Sequence, residues 1–216
     1  LSFTVLVLIV FGTLSVLQSV AVALLPMLFG ISIDQVSLLL GATLDYPNAR
    51  LAYFFIKGHI DNIDSEYFIN AINEGIKHPN NLSYKLKVQG KLTPYEWFMR
   101  DPKFQQIFFE ILNKLNNMKG LIQHSWSLQS VWGVKEDFGD YTEEHNHISS
   151  LGSGCIYLND VEDQPTIFPE IKESIEPRKG DFVLFSPFLN HKAKRIYTNQ
   201  TKYLIAFNLK FAGENK

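Results

Sequence analysis

The segment RKGDFVLFSPFLNH, residues 178–191, combines a turn, a short apolar run and a histidine. Gly180 and Asp181 indicate a turn, the following run FVLF is typical of a short buried strand, and Pro187 marks the end of that strand. His191 then follows at a strand edge, where functional side chains often emerge from a rigid scaffold. We therefore predict a β-rich fold that presents His191 to a functional site.

Two more histidines, His145 and His147, are separated by a single residue. Residues i and i+2 of a strand project to the same face, so both imidazoles can converge on one ion. His191, from a distant strand, then supplies a third ligand. Imidazole binds Fe, Zn, Cu and Ni alike, so these residues predict a metal site without choosing its metal. For the other three histidines, His59, His78 and His124, we expect structural or surface roles.

The second half of the chain contains many short runs of branched and aromatic residues, separated by Gly, Pro, Asn and Asp. Such runs predict strands, and many strands with few helices predict a sandwich or a barrel. The predicted strands are residues 126–132, 151–158, 166–168, 182–185, 192–197 and 202–211. The aromatic side chains of Trp126, Trp132 and Phe185 are expected to be core residues that could also form the walls of a pocket.

Helices are predicted before this β-rich half. Asp64 is placed to cap a helix that closes near residues 78–79. Thr93 and Glu96 have the spacing of a capping box, and Asp101 with the following proline repeats the pattern of a helix start. The apolar residues after Asp101 keep helical spacing up to a predicted stop at residues 119–120. We expect these helices to support the β-rich half.

Composition limits the remaining possibilities. A chain of 216 residues with 46% hydrophobic residues can fill one core and an appendage. The formal net charge of −2, with basic residues scattered singly, predicts no nucleic-acid partner. Cys155 is the only cysteine, so it cannot form a disulfide within the chain and is expected to pack in the core. We predict one domain over residues 51–216, and a separate segment over residues 1–50.

That first segment is strongly apolar, since residues 1–33 contain no charged side chain. A bilayer is crossed by about 20 apolar residues, and residues 5–29 exceed this length. We therefore expect an apolar N-terminal helix that associates with a membrane through residues 5–29, followed by a linker. The alternatives are a buried helical hairpin, a targeting segment or a mis-joined reading frame. A secretory signal is disfavoured because no basic residues precede the apolar run.

Five segments in a fixed order resemble the Fe(II)/2-oxoglutarate-dependent oxygenases, and most of all the prolyl-4-hydroxylase-like and phage-type members of that family. The segments are His145-x-His147, SGCIYL at 153–158, RKGDFVLF at 178–185, His191 and TKYLIAFN at 201–208. The resemblance extends over residues 51–211. It implies a mainly β fold with some α structure, namely a double-stranded β-helix, or jelly roll, preceded by supporting helices.

The resemblance also implies an activity and roles for single residues. His145 and His191 would bind Fe(II), and Lys202 would bind the distal carboxylate of the cosubstrate 2-oxoglutarate, with Tyr157 and Asn208 adding hydrogen bonds. O₂ would be consumed, succinate and CO₂ released, and an unidentified small molecule or peptide hydroxylated, with peptidyl proline as the suggestion from the family. Ascorbate is a further cofactor that the resemblance allows. The expected location is the cytoplasm, with the apolar segment as an anchor.

His147 stands where the family has Asp or Glu. Three interpretations follow: a three-histidine iron site, which we favour, a site completed by Glu143 or Glu144, or a fold that binds without turnover. The alternative function is therefore a non-catalytic, cupin-like metal- or ligand-binding module tethered to a membrane. Residues 133–144 are interpreted as an acidic, solvated loop before the histidines.

Overall fold

The structure, a computed structural model, describes residues 41–46, 49–78, 87–116 and 126–212. The predicted helix and membrane anchor over residues 5–29 lies outside these ranges, and so does His124. Within the described ranges, neither α-helix has the length and apolarity needed to cross a bilayer.

The described residues form twelve strands, two α-helices and one short 3₁₀ helix. In chain order they are β1 (Gly41–Tyr46), β2 (Ala49–Tyr53), β3 (Phe55–His59), α1 (Ser65–Ile76), β4 (Lys91–Leu92), α2 (Pro102–Asn116), β5 (Trp126–Glu136), β6 (Thr142–His145), β7 (Gly152–Tyr157), β8 (Thr166–Phe168), the 3₁₀ helix (Pro169–Ile171), β9 (Glu173–Ile175), β10 (Asp181–Phe185), β11 (His191–Ala193) and β12 (Lys202–Phe211).

The strands pair into three antiparallel sheets. The strands β1 and β2 form a hairpin, a six-stranded sheet has the order β3-β10-β7-β12-β5-β4, and a four-stranded sheet has the order β6-β11-β8-β9. Neighbouring strands in the large sheet are distant in sequence, so its order requires long crossovers. The fold is mainly β with few helices, as predicted, and its antiparallel sheets are consistent with a jelly roll.

The large sheet separates two hydrophobic cores, because side chains alternate between its faces. On β12, Ile205, Phe207 and Leu209 pack on one side together with the helices, whereas Leu204 belongs to the core on the other side. That second core joins the two sheets: the rings of Phe55 from the large sheet and Phe168 from the small sheet meet at 4.9 Å. The space between the sheets is the barrel interior.

The helix starts at Asp64 and Asp101 are confirmed. The side chain of Asp64 accepts a hydrogen bond from the backbone N–H of Tyr67, and Asp101 accepts one from Phe104 at 2.9 Å. Each carboxylate satisfies a backbone donor that the first helical turn leaves free. Asp101 also accepts the hydroxyl of Tyr67 at 2.6 Å, which links α1 to α2.

The helix predicted from Thr93 is wrong, since residues 95–100 form successive turns. The Thr93 hydroxyl accepts a hydrogen bond from Gly133 on β5 rather than capping a helix. The backbone of Val131 on the same strand donates to Tyr95 and accepts from Phe98. These backbone groups are therefore bonded to the large sheet and cannot form helical hydrogen bonds.

Two more predictions need correction. The strand expected over residues 192–197 is limited to His191–Ala193. The acidic loop expected over residues 133–144 is largely strand, because β5 continues to Glu136 and β6 begins at Thr142. The long pairing of β5 with β12, which runs to Lys202 opposite Glu136, explains this extension.

Candidate metal centre

The three predicted ligands meet at one place. Nitrogen atoms of His145, His147 and His191 all lie within 4.8 Å of one another. The ring centroids of His145 and His191 are 4.3 Å apart, and that of His147 lies about equally far from both, at 5.0 and 5.1 Å. Three imidazoles at this separation have the donor set and the spacing to bind one divalent transition-metal ion.

The backbone explains how the histidines meet. His145 ends β6 and His191 begins β11, and the two residues are direct partners in the antiparallel pairing. His147 lies just beyond β6, where its backbone N–H donates to the carbonyl of Pro187 at 2.9 Å. This bond joins the segment after β6 to the segment before β11, so all three rings lie at the same end of the small sheet.

Hydrogen bonds orient two of the rings. The Nδ1 atom of His145 lies 2.8 Å from the carbonyl oxygen of Glu143, so it carries the proton and donates. The corresponding contact of His191, to the carbonyl of Leu189, is 3.5 Å. In each case Nε2 is left with its lone pair for a metal, the arrangement in which ligating histidines are commonly held.

The three rings are neutral at ordinary pH. Burial, with a smaller contribution from His145, lowers the pKa of His147 to about 4. Burial and the two neighbouring imidazoles lower the pKa of His191 well below its usual value, and burial also lowers that of His145. Because a metal binds the unprotonated ring, these shifts favour metal binding at neutral pH.

Aromatic side chains surround the histidines on the interior side. The ring of Phe185, at the end of β10, lies 4.8 Å from His191, and Phe168 stacks against His191 at 5.7 Å. Trp132 belongs to the same interior core, whereas Trp126 packs against Phe54 on the helix side of the sheet. Two of the three aromatic residues considered as pocket walls therefore face the interior.

The interpretation that Glu143 or Glu144 completes the metal site is not supported by the geometry. The Glu143 carboxylate faces Lys87 at 3.4 Å, and the Glu144 carboxylate faces Lys192 at 2.8 Å. Lys192 alternates with His191 along β11, so it points to the opposite face from the metal ligands. Neither carboxylate is part of the cluster of ligand atoms around His147.

A group of polar side chains lies in the barrel interior at the level of Ala193, two residues along β11 from His191. We call this group the polar layer. On the small sheet Ala193, two residues after His191, pairs with Thr142 of β6 on one side and with Thr166 of β8 on the other. Two residues of a strand span about 6.7 Å, which sets the separation from the histidines. The large sheet contributes three more residues, so that the polar layer consists of Thr142, Thr166, Tyr157, Glu136 and Lys202.

Lys202 and Glu136 form an ion pair inside the polar layer. Each is only 1% exposed, and the Lys202 Nζ contacts the Glu136 Oε2. The other carboxylate oxygen, Oε1, accepts the hydroxyl of Thr142 at 2.7 Å. Lys202 is thus a buried cation directed into the barrel, as a residue that binds the distal carboxylate of 2-oxoglutarate would need to be.

Tyr157 and Asn208 lie at different depths. The Tyr157 hydroxyl donates to the Thr166 hydroxyl at 2.7 Å, within the polar layer. Asn208 is six residues along β12 from Lys202, a span of about 20 Å. It accepts a hydrogen bond from Ser153, the direct partner of Phe185, so it faces the histidine end of the interior. Tyr157 can therefore act beside Lys202, whereas Asn208 cannot.

The sequence interpretation missed Glu136, which it assigned to a solvated loop. A signal existed in the alternation of Trp132, Val134 and Glu136, which places all three on one face of a strand. Thr142 and Thr166 were also missed. Their role depends on the pairing of β6 and β8 with β11, which no local pattern reveals.

Comparison with known proteins gives structural neighbours only: no family profile matches the chain, and no curated protein matches its sequence. Among solved structures, the viral collagen prolyl hydroxylase of Paramecium bursaria Chlorella virus-1, in a 2-oxoglutarate complex, matches with a TM-score of 0.57 at 19% identity, covering 74% of this chain and 96% of that chain.

Two bacterial structures are similar in the same way. HygX from Streptomyces hygroscopicus, with nickel and 2-oxoglutarate bound, has a TM-score of 0.53 at 13% identity, covering 74% of this chain and 83% of that one. A prolyl-4-hydroxylase from Pseudomonas putida has a TM-score of 0.52 at 10% identity, covering 74% of this chain and 93% of that one. The described residues therefore have the fold of the 2-oxoglutarate–Fe(II) oxygenases, the family that the sequence resembles.

Proposed function

We propose that the protein is an Fe(II)- and 2-oxoglutarate-dependent oxygenase that hydroxylates a small molecule or a peptide and releases succinate and CO₂. The observation that carries this proposal is the pairing of two features in one barrel: three neutral imidazoles at its mouth and a buried cation, Lys202, one layer deeper. An iron ion and a dicarboxylate together need both features.

The proposed metal ligands are His145, His147 and His191. When bound, Fe(II) with 2-oxoglutarate would supply the activation of O₂ that the side chains of a protein cannot supply. The chain's own part is to hold one ring nitrogen from each histidine within 4.8 Å of the others, with His145 fixed by its bond to the Glu143 carbonyl. Since three imidazoles carry no charge, the site leaves the full charge of the ion uncompensated, unlike a site with a carboxylate ligand.

Lys202 and Tyr157 would hold the cosubstrate. The ammonium of Lys202 is the electrostatic partner for a distal carboxylate, and Tyr157 with Thr166 offers hydroxyl groups in the same layer. Phe168 and Phe185 are buried with their rings beside His191, where they would help to keep water away from the reacting groups. Asn208 lies too far along β12 from Lys202 to act on the same carboxylate, so its proposed contact is at the histidine end of the site.

The substrate class remains broader than the family resemblance suggests. Two of the solved structures are prolyl hydroxylases, while HygX has also been solved with hygromycin B bound. We propose a hydroxylase acting on a peptide or a small molecule, with peptidyl proline as the first substrate to test. Ascorbate is the reductant to include in the assay.

The test of the proposed function is formation of succinate from 2-oxoglutarate by anaerobically Fe(II)-loaded protein after O₂ is admitted. Turnover should require O₂ and should disappear in His191→Ala. A Lys202→Ala variant alone would leave Glu136 buried without its cation, at a cost of about 3–5 kcal/mol. The matched variant is therefore Lys202→Met/Glu136→Gln, in which turnover should need far more 2-oxoglutarate. Absence of succinate from the Fe(II)-loaded wild-type protein would contradict the proposal.

Two observations favour a second candidate, a metal-binding module without turnover. His147 stands where the oxygenase family has a carboxylate ligand, and Lys202 already forms an ion pair with Glu136. This candidate predicts that the protein binds iron through the three histidines but produces no succinate at any 2-oxoglutarate concentration.

A further inference from the structure

The ammonium of Lys202 already has an anionic partner within the chain, the carboxylate of Glu136. Glu136 lies directly across the strand pair β5–β12 from Lys202, and both side chains are almost completely buried. Thr142 holds the second oxygen of the carboxylate, so the pair is fixed between the two sheets. A buried ammonium without a partner would cost several kcal/mol, and the attraction to Glu136 offsets part of that cost.

A cosubstrate with a distal carboxylate brings the same chemical group to the same cation. Two carboxylates at one ammonium, away from water, repel each other strongly. The incoming carboxylate must therefore displace Glu136 from Lys202, and the free energy of the existing pair opposes this exchange. A 2-oxo acid that ends in a methyl group meets no such competition.

We propose that Glu136 is an internal competitor for the distal carboxylate of 2-oxoglutarate, and that it sets how strongly the site prefers a 2-oxo diacid over a 2-oxo monoacid. The inference rests on the proposed function and deepens it. It assigns a specificity-determining role to a residue whose side chain contacts Lys202 and Thr142.

The experiment measures two ligands on the Ni(II)-loaded protein by titration calorimetry. They are 2-oxoglutarate and 2-oxopentanoate, which has the same carbon chain with a methyl group in place of the distal carboxylate. In Glu136→Gln the amide keeps the shape and the acceptor for Thr142 but removes the charge. We expect affinity for 2-oxoglutarate to rise about ten-fold or more in this variant, with affinity for 2-oxopentanoate unchanged.

Two further variants keep the test decisive. Lys202→Met/Glu136→Gln has no ammonium at position 202 to bind the distal carboxylate, so it should not show the increase in 2-oxoglutarate affinity expected for Glu136→Gln alone. Glu136→Asp keeps the charge but withdraws the carboxylate by one methylene, and it should give a smaller increase if Glu136→Gln fails to fold. Thermal unfolding and Ni(II) binding verify that each variant retains the site.

The outcomes separate the inference from the proposed function. If 2-oxoglutarate binds the wild-type protein and Glu136→Gln equally well, or the variant more weakly, the inference is wrong and the oxygenase proposal stands. If neither 2-oxo acid binds any metal-loaded form, both are wrong. A rise in affinity for both ligands alike would also overturn the inference, because it would show a general opening of the site.

Discussion

At the scale of single residues, the site depends on imidazoles held neutral and on one buried ion pair. Burial is the largest cause of the lowered pKa of His145, His147 and His191, and neighbouring imidazoles add to it only for His147 and His191. Glu136 and Lys202 remain buried because each is the other's counter-ion. Both arrangements lead to measurable effects of single substitutions.

His191→Ala should reduce affinity for Ni(II) or Fe(II) by about 100-fold or more, since it removes one of the three proposed metal ligands. His59→Ala is the matched control, because His59 bonds Asp181 at 2.7 Å and is not among the clustered ligand atoms. Metal affinity is measured by competition with a colorimetric chelator. Equal loss of affinity in the two variants would contradict the assignment of His191.

Acid should destabilise the metal-free protein in the pH range set by the histidines. An unfolded histidine has a pKa of about 6.5, whereas His147 in the folded protein has a pKa of about 4. Between these values the unfolded state binds a proton that the folded state does not, so the free energy of unfolding falls as pH decreases.

For His147 this loss approaches roughly 3 kcal/mol at pH 4, and the other two histidines add to it. Urea unfolding in the presence of a chelator, from pH 7 to pH 4, measures the effect. His147→Gln should lose less stability over this range than the wild-type protein. The same loss in both proteins would contradict the pKa assigned to His147.

The convergence of the three histidines could be predicted from the sequence, but the ion pair could not. The spacing of His145 and His147, together with the strand before His191, indicates convergence locally. Glu136 and Lys202 are 66 positions apart, and their contact exists only because β5 pairs with β12 in one particular register. A shift by one residue would send one of the two side chains to the other face of the sheet.

At the scale of elements, β5 connects the helices to the site. One face carries Trp132, Val134 and Glu136 toward the interior, and the other face packs against α1. Helix starts at Asp64 and Asp101 were predictable because their caps are local. The absence of a helix after Thr93 was not predictable locally. The strand β5, about forty residues later, forms hydrogen bonds with the groups that such a helix would have used.

Gly133→Ala tests the packing between β5 and α1. A Cβ at position 133 would lie 2.3 Å from the Ile72 Cγ1, so the substitution overpacks the helix side of the sheet. We expect a loss of about 1–3 kcal/mol in the free energy of unfolding, measured with urea. Ile72→Ala makes room for the added methyl group, and the double variant should cost less than the sum of the two single variants. Strict additivity would contradict the close approach.

At the scale of the whole molecule, the large sheet lies between two hydrophobic cores. Its outer face and the helices form one core, and its inner face and the small sheet form a second core around the site. The class of fold was predictable from the many short strands. The sheet order was not, because strands such as β3 and β10 pair across more than a hundred residues.

Metal binding should stabilise the folded protein as a whole, since the three ligands converge only after folding. At a free Ni(II) concentration of about 100 times Kd, the expected gain is about 2.7 kcal/mol, or a rise in Tm of roughly 5–10 °C. Differential scanning calorimetry with Ni(II) and with a chelator measures this difference. An equal rise in His191→Ala would mean that the ion binds elsewhere.

The most direct test of the account is a crystal structure of the protein with Ni(II) and 2-oxoglutarate. We predict one metal ion bonded to His145, His147 and His191 at about 2.1 Å, with the distal carboxylate of 2-oxoglutarate on the Lys202 ammonium. A metal ion bound by other residues, or 2-oxoglutarate bound away from Lys202, would contradict the central claim that these four side chains form the site of an oxygenase.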